Sequence, residues 1–125
     1  MDKQSLPSDS NISFDQFSSV DIRIGTVIKA EVPEWSHWVI KITVDFGEEI
    51  GEKVCFSGIM KFFKPEELEG KQFPFVINLE PKKIGPDKEL SEAMMIMSCP
   101  GGDDNEVAPV LFNLQKKVEN GTKVR

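Results

Sequence analysis

Between Val20 and Gly58, apolar side chains recur at every second position in three successive runs. A period of two is satisfied only by extended chain with one face buried. Val20, Ile22 and Ile24 alternate with Asp21 and Arg23 until Gly25 interrupts, as a bulge or bend would. Trp38, Ile40, Ile42, Val44 and Phe46 repeat the pattern opposite Val39, Lys41, Thr43 and Asp45, and Gly47-Glu48-Glu49 reads as the turn that follows. A third strand runs from Lys53 to Ser57 and stops at Gly58.

The rest of the chain continues in short pieces. Lys64 to Gly70 has Pro65 where a helix begins, acids in the first turn and Gly70 just past the end, which predicts one short helix between the third and fourth strands. Phe73, Phe75 and Ile77 make a fourth alternating run, Met94 to Ser98 a fifth and Val110 to Asn113 a sixth. Asn120-Gly121, between Lys117-Val118 and Lys123-Val124, has the chemistry of a hairpin turn. Ser13 stands three residues before Gln16 in capping-box spacing, and Phe14 with Phe17 forms an apolar pair on one helical turn that needs a surface to cover it. Residues 1–12, rich in Ser, Asp and Asn, read as a flexible lead-in to a domain over 13–125. This order predicts an all-β fold: a five-stranded Greek-key barrel of the OB type, with a short helix between strands 3 and 4 and extensions at both ends. Periodicity alone leaves other small barrels open.

With 125 residues, a single domain buries enough surface to hold a core without a metal or a disulfide. Cys55 and Cys99 lie in no ligand spacing and read as reduced structural thiols. The N-terminal MDKQSLPSDSN has no apolar signal core and no segment is long and apolar enough for a membrane helix, so a soluble cytoplasmic protein without membrane insertion is expected. The net charge of −6 is spread evenly, which argues against a non-specific polybasic grip on nucleic acid and confines any such binding to a local patch.

A catalytic site would need a nucleophile with a base, a carboxylate pair or a metal cluster. The one histidine, His37, has no second His or Cys near it in sequence, and Glu48, Glu49, Glu66, Glu67 and Glu69 fall at turns or a helix start. No enzyme, cofactor or metal is therefore expected, and the chemistry should be recognition. Asn78-Leu79-Glu80-Pro81-Lys82-Lys83 follows a strand of alternating aromatics; its lysines suit phosphates, and the Asn78 amide suits a base edge, although an ordinary turn would look the same. Ser57-Gly58 joins a hydroxyl to a close-approach glycine, and one of Met94, Met95 and Met97 could floor a base-stacking site, with Met95 the candidate.

Phe17 to Gly47, Ser57-Gly58-Ile59, Pro65 to Gly70 and Asn78-Leu79-Glu80-Pro81 together resemble the tRNA-binding domain that is appended to some methionyl- and phenylalanyl-tRNA synthetases and also occurs alone. Pro33-Glu34, Lys41 to Glu48 and Asn120 to Val124 are most similar to the small free-standing CsaA type, a secretion-associated chaperone that also binds tRNA. The resemblance implies an OB barrel, a homodimer built through both chain ends, and tRNA as partner. Its alternative is a chaperone for unfolded or exported polypeptides with weak or no RNA binding. Matching motif positions makes Ser57, Asn78, Lys82 and Ser91 candidate RNA contacts, with Lys83 beside them and Arg23 and Lys41 added by outward strand phase. In this chain Trp38-Val39 stands where the appended domains carry Lys-Leu.

Overall fold

The computed structural model describes residues 10–125, so the first nine residues of the expected lead-in lie outside the described residues. Ser13 opens α1 (Phe14–Ser18) with the reciprocal bonds that its spacing predicts. Its Oγ accepts from the Gln16 N–H at 3.1 Å, and its own N–H donates to Gln16 Oε1 at 2.8 Å.

Strand β1 (Ile22–Glu31) is the spine of the barrel. Its first half pairs with β4 (Gln72–Val76) on one edge and with β10 (Lys123–Val124) on the other; its second half pairs with β2 (Ile40–Asp45). The strand runs through Gly25 rather than breaking there, and it does not include Val20. Gly25 is needed because Phe46 packs directly over it: a Cβ would lie 2.7 Å from Phe46 Cε1. The expected irregularity comes later, where the register against β2 shifts between Val27 and Lys29.

With β3 (Glu52–Ser57) beside β2 and β7 (Met94–Met95) beside β4, the strand order is β3-β2-β1-β4-β7. The two ends of this sheet nearly close into a barrel. The Glu92 N–H donates to the Val54 carbonyl at 2.7 Å, Glu92 Oε1 accepts from the Val54 N–H at 3.1 Å, and Ser91 Oγ accepts from the Phe56 N–H at 3.1 Å. Inside lie Val27, Ile40, Ile42, Val44, Leu68, Phe73 and Phe75, with Phe46 edge-on to Phe75 at 5.4 Å. Pro74 is tolerated in an inner strand because its partner across β1, Ile24, sends both backbone groups the other way, to Gly121 and Thr122.

The expected helix over Lys64 to Gly70 is a single 3-10 turn, Pro65–Glu67, between β3 and β4. A second turn cannot form because β1 claims the backbone: the Gly70 N–H donates to the Val27 carbonyl, and the Val27 N–H donates to the Lys71 carbonyl. The run Met94 to Ser98 is divided. After β7 the Ile96 N–H turns to the Pro74 carbonyl, and β8 (Met97–Ser98) pairs instead with β9 (Val110–Leu111). Asn120-Gly121 does center a turn, closed by the Thr122 N–H on the Glu119 carbonyl, but the strand after it pairs with β1 and not with residues 117–118. The segment after Pro81, expected to be an exposed loop, forms a hairpin of β5 (Lys82–Ile84) and β6 (Glu89–Ser91).

Candidate nucleic-acid interface

The β5–β6 hairpin is held against the barrel at three places. At its turn, Gly85 lies under the indole of Trp35, which in turn contacts Phe56 and stands edge-on to Trp38. Along β6, Glu89 Oε2 accepts from Lys41 Nζ at 2.7 Å, and at its end Ser91 Oγ receives the Phe56 N–H. Lys82 and Lys83 are thereby carried, exposed, on a braced element rather than a loose loop.

Two clefts meet beside this hairpin. One, of about 620 Å³, is lined by Lys82, Ser91, Phe56, Leu79 and Met94; the other, of about 510 Å³, by Ser57, His37, Lys61, Phe62 and Cys99. Trp38 and Gly58 line both. Trp38 is 58% exposed and forms the ridge between them, with Gly58 and Trp35 against its indole. Alternation predicted that Trp38 would point inward with Ile40. The Ser36 hydroxyl prevents this by accepting the N–H groups of both Trp38 and Val39, bending the chain so that Val39 is buried instead.

Of the residues proposed from sequence, the structure brings Ser57, Lys82 and Ser91 to this face, with Lys41 behind it as a brace, while Lys83 pairs with Leu90 and points to the other side of the hairpin. The Ser91 hydroxyl is engaged in barrel closure. Three others lie elsewhere. Asn78 presents its amide to the protein: Nδ2 donates to the Ser19 carbonyl at 2.7 Å and Oδ1 accepts from the Asp21 N–H at 2.8 Å, so it ties the end of β4 to the start of β1. Arg23 donates to Asp21 Oδ1 at 2.7 Å and to the Gly121 carbonyl at 3.0 Å, in a cleft whose other charged residues are Glu48, Glu49 and Glu119. Met95 is only 4% exposed and packs in the core against Phe75; the exposed methionine is Met94.

Asp21 receives both Arg23 and Lys123, and its carboxyl is held below the usual range, chiefly by the Arg23 hydrogen bond, with partial burial opposing. Burial pushes the Cys55 thiol up to about 12, so it is an inert core group; Cys99 is exposed, and both thiols are free. Among the described residues, no helix is long and apolar enough to cross a membrane.

Sequence reasoning offered Trp38 only as apolar surface for a chaperone, not among the candidate RNA contacts, and missed the hairpin as a structural element. The signal for the hairpin was Gly85-Pro86-Asp87 between Lys83-Ile84 and Leu90, a turn sequence flanked by extended residues.

The family model for the tRNA-binding domain matches residues 22–123. Methionine–tRNA ligase 1 of Bacillus anthracis is 35% identical over 123 residues; the match takes in 98% of this chain, which spans 17% of the length of that relative. Among solved structures, the chaperone CsaA of Bacillus anthracis str. Ames is 32% identical with a TM-score of 0.77, over 93% of this chain and 100% of that one. A MetRS-related protein of Pyrococcus horikoshii is 33% identical with a TM-score of 0.80, over 93% and 99%. Barrel, motifs and family match coincide over the same residues: the chain belongs to the tRNA-binding domain family.

Proposed function

We propose that this chain is a non-catalytic tRNA-binding protein that holds structured RNA across the face made by the β5–β6 hairpin and the two clefts joined at Trp38. The observation that carries the reading is the placement of Lys82 in one cleft with a solvent-facing indole, on a braced hairpin that also exposes Lys83, in a member of this family. Lysines on a fixed element meet phosphates without the backbone having to be ordered first, and an exposed aromatic offers a face to an unstacked base. The net charge of −6 makes the local placement matter, because no general attraction to RNA assists it. A cytoplasmic location follows from tRNA as partner.

The protein acts as a homodimer in this reading. Phe14 is 74% exposed, and Ile12, Phe17 and Val20 are exposed near it. An apolar strip at one chain end is what a second copy would cover. At the C-terminal side, the backbones of Val124 and Val118 are bonded within the chain, to Ile22 and Gln72, and both side chains are half-buried.

A second reading, capture of unfolded polypeptide, is supported by exposed Leu79 and Met94 in the larger cleft and by similarity to a structure described as a chaperone. Titration of bulk tRNA at two salt concentrations tests the first reading. Lys82→Gln/Lys83→Gln should bind more weakly than wild type and with a salt slope shallower by about 1–2, since each lysine releases counterions from one phosphate. Equal affinity and slope would remove the hairpin from the interface.

A further inference from the structure

At the start of β4, the Gln72 side chain clasps the C-terminal segment. Oε1 accepts from the Val118 N–H at 3.0 Å, while Nε2 donates to the Val118 carbonyl at 2.7 Å and to Asn120 Oδ1 at 3.1 Å. Lys71, one residue earlier, is fixed by its backbone: its N–H donates to the Leu68 carbonyl, and its carbonyl accepts from the Val27 N–H. These bonds set Lys116 and Lys117 across from Lys71, around an open cleft of about 440 Å³ that Asn113 also lines.

Every charged residue lining this cleft is a lysine, in a chain with 21 acids and 15 Lys and Arg. Among the described residues, the ion pairs of the protein involve other cations: Arg23, Lys29, Lys41, Lys61 and Lys123. Three like charges around one concavity repel one another and focus a positive potential into it. No ion pair among the described residues offsets this repulsion; an anion in the cleft would. The Asn113 side chain adds hydrogen-bonding capacity at the same wall.

We propose that this cleft is a second phosphate site, taking the sugar–phosphate backbone of the same RNA that the hairpin lysines hold; the inference rests on the RNA-binding reading. Lys71 precedes β4 and Lys82 follows it in the chain, with the whole strand Gln72–Val76 between them, and they line separate clefts. Two separate lysine sites ask for a ligand that carries several phosphates, as a folded RNA does and a single phosphate does not.

The test is equilibrium titration of bulk tRNA over a salt series with wild type, Lys71→Gln/Lys116→Gln/Lys117→Gln and Lys82→Gln/Lys83→Gln, each shown to be folded by its thermal transition. The triple variant should bind at least about tenfold more weakly at low salt, with a slope shallower by about 2–3, while its thermal midpoint stays equal or rises as the lysines cease to repel. A triple variant that matches wild type while the hairpin variant is weakened would overturn the second site and leave the RNA reading standing. A weaker triple variant with an unchanged salt slope would also overturn it, since the lost affinity would then not come from phosphate contacts. Wild type that binds no tRNA at any salt would overturn both.

Discussion

The indole of Trp35 lies against Gly85 so closely that a methyl group on the glycine would sit 2.5 Å from Trp35 Cζ2. Gly85 also holds φ at +77°, a conformation that other residues adopt only with strain. This one contact docks the β5–β6 turn on the aromatic cluster that carries Trp38. Gly85→Ala should therefore free the hairpin, at a cost of about 1–3 kcal/mol to its local stability. Amide exchange over residues 82–91 would rise while the transition of the barrel core shifts little. Unchanged exchange would show that the hairpin is held by Lys41–Glu89 and Ser91 alone.

Asn78→Ala removes two hydrogen bonds to the backbone of Ser19 and Asp21. The expected result is a loss of about 1–3 kcal/mol in denaturant unfolding. The salt slope of tRNA binding should stay as in wild type, because no cation is removed. A stable variant with weakened RNA binding would instead mean that Asn78 meets a base.

The Asp21 carboxyl, with its value lowered in the folded chain by Arg23 and Lys123, stabilises the junction of β1 and β10 at neutral pH. Its contribution is fully present above the unfolded carboxylate value and is lost as pH falls through the lower folded value. Asp21→Asn should be less stable by about 0.5–1 kcal/mol at pH 7, and the difference should shrink in acid. Comparing thermal midpoints across that range checks it; a gap that does not close in acid would assign the effect to something other than the charge.

Phe14→Ser/Phe17→Ser should convert a dimer into a folded monomer, because both side chains are exposed and neither belongs to the core of the barrel. Sedimentation equilibrium reads the change directly. A wild-type chain that sediments as a monomer at micromolar concentration would end the dimer proposal.

The strands were legible where one face is buried, since alternation at Ile40, Ile42 and Val44 is imposed by the core itself. Likewise, Ser13 and Gln16 announce their helix because a capping box is a local bond pattern. The site was less legible, for three physical reasons. A short polar side chain such as Asn78 bonds as readily to backbone far along the chain as to a ligand, and its sequence neighbors do not say which. Met95 faces the core and Met97 packs against it, as their shared phase in the alternation allowed, so the exposed one of Met94, Met95 and Met97 is Met94. Trp38 breaks its run because of one hydroxyl, Ser36, whose bonds to the N–H groups of Trp38 and Val39 turn Val39 inward and Trp38 out.

Amide hydrogen exchange with and without bulk tRNA tests most directly whether RNA lies on the hairpin and the Trp38 ridge. Bound tRNA should slow exchange over residues 79–92 and around Ser57 to Ile59, leaving the acidic surroundings of Arg23 near Glu48 and Glu49 unchanged. Saturating tRNA that leaves the hairpin and the Ser57 segment as fast as in the free protein would contradict the account.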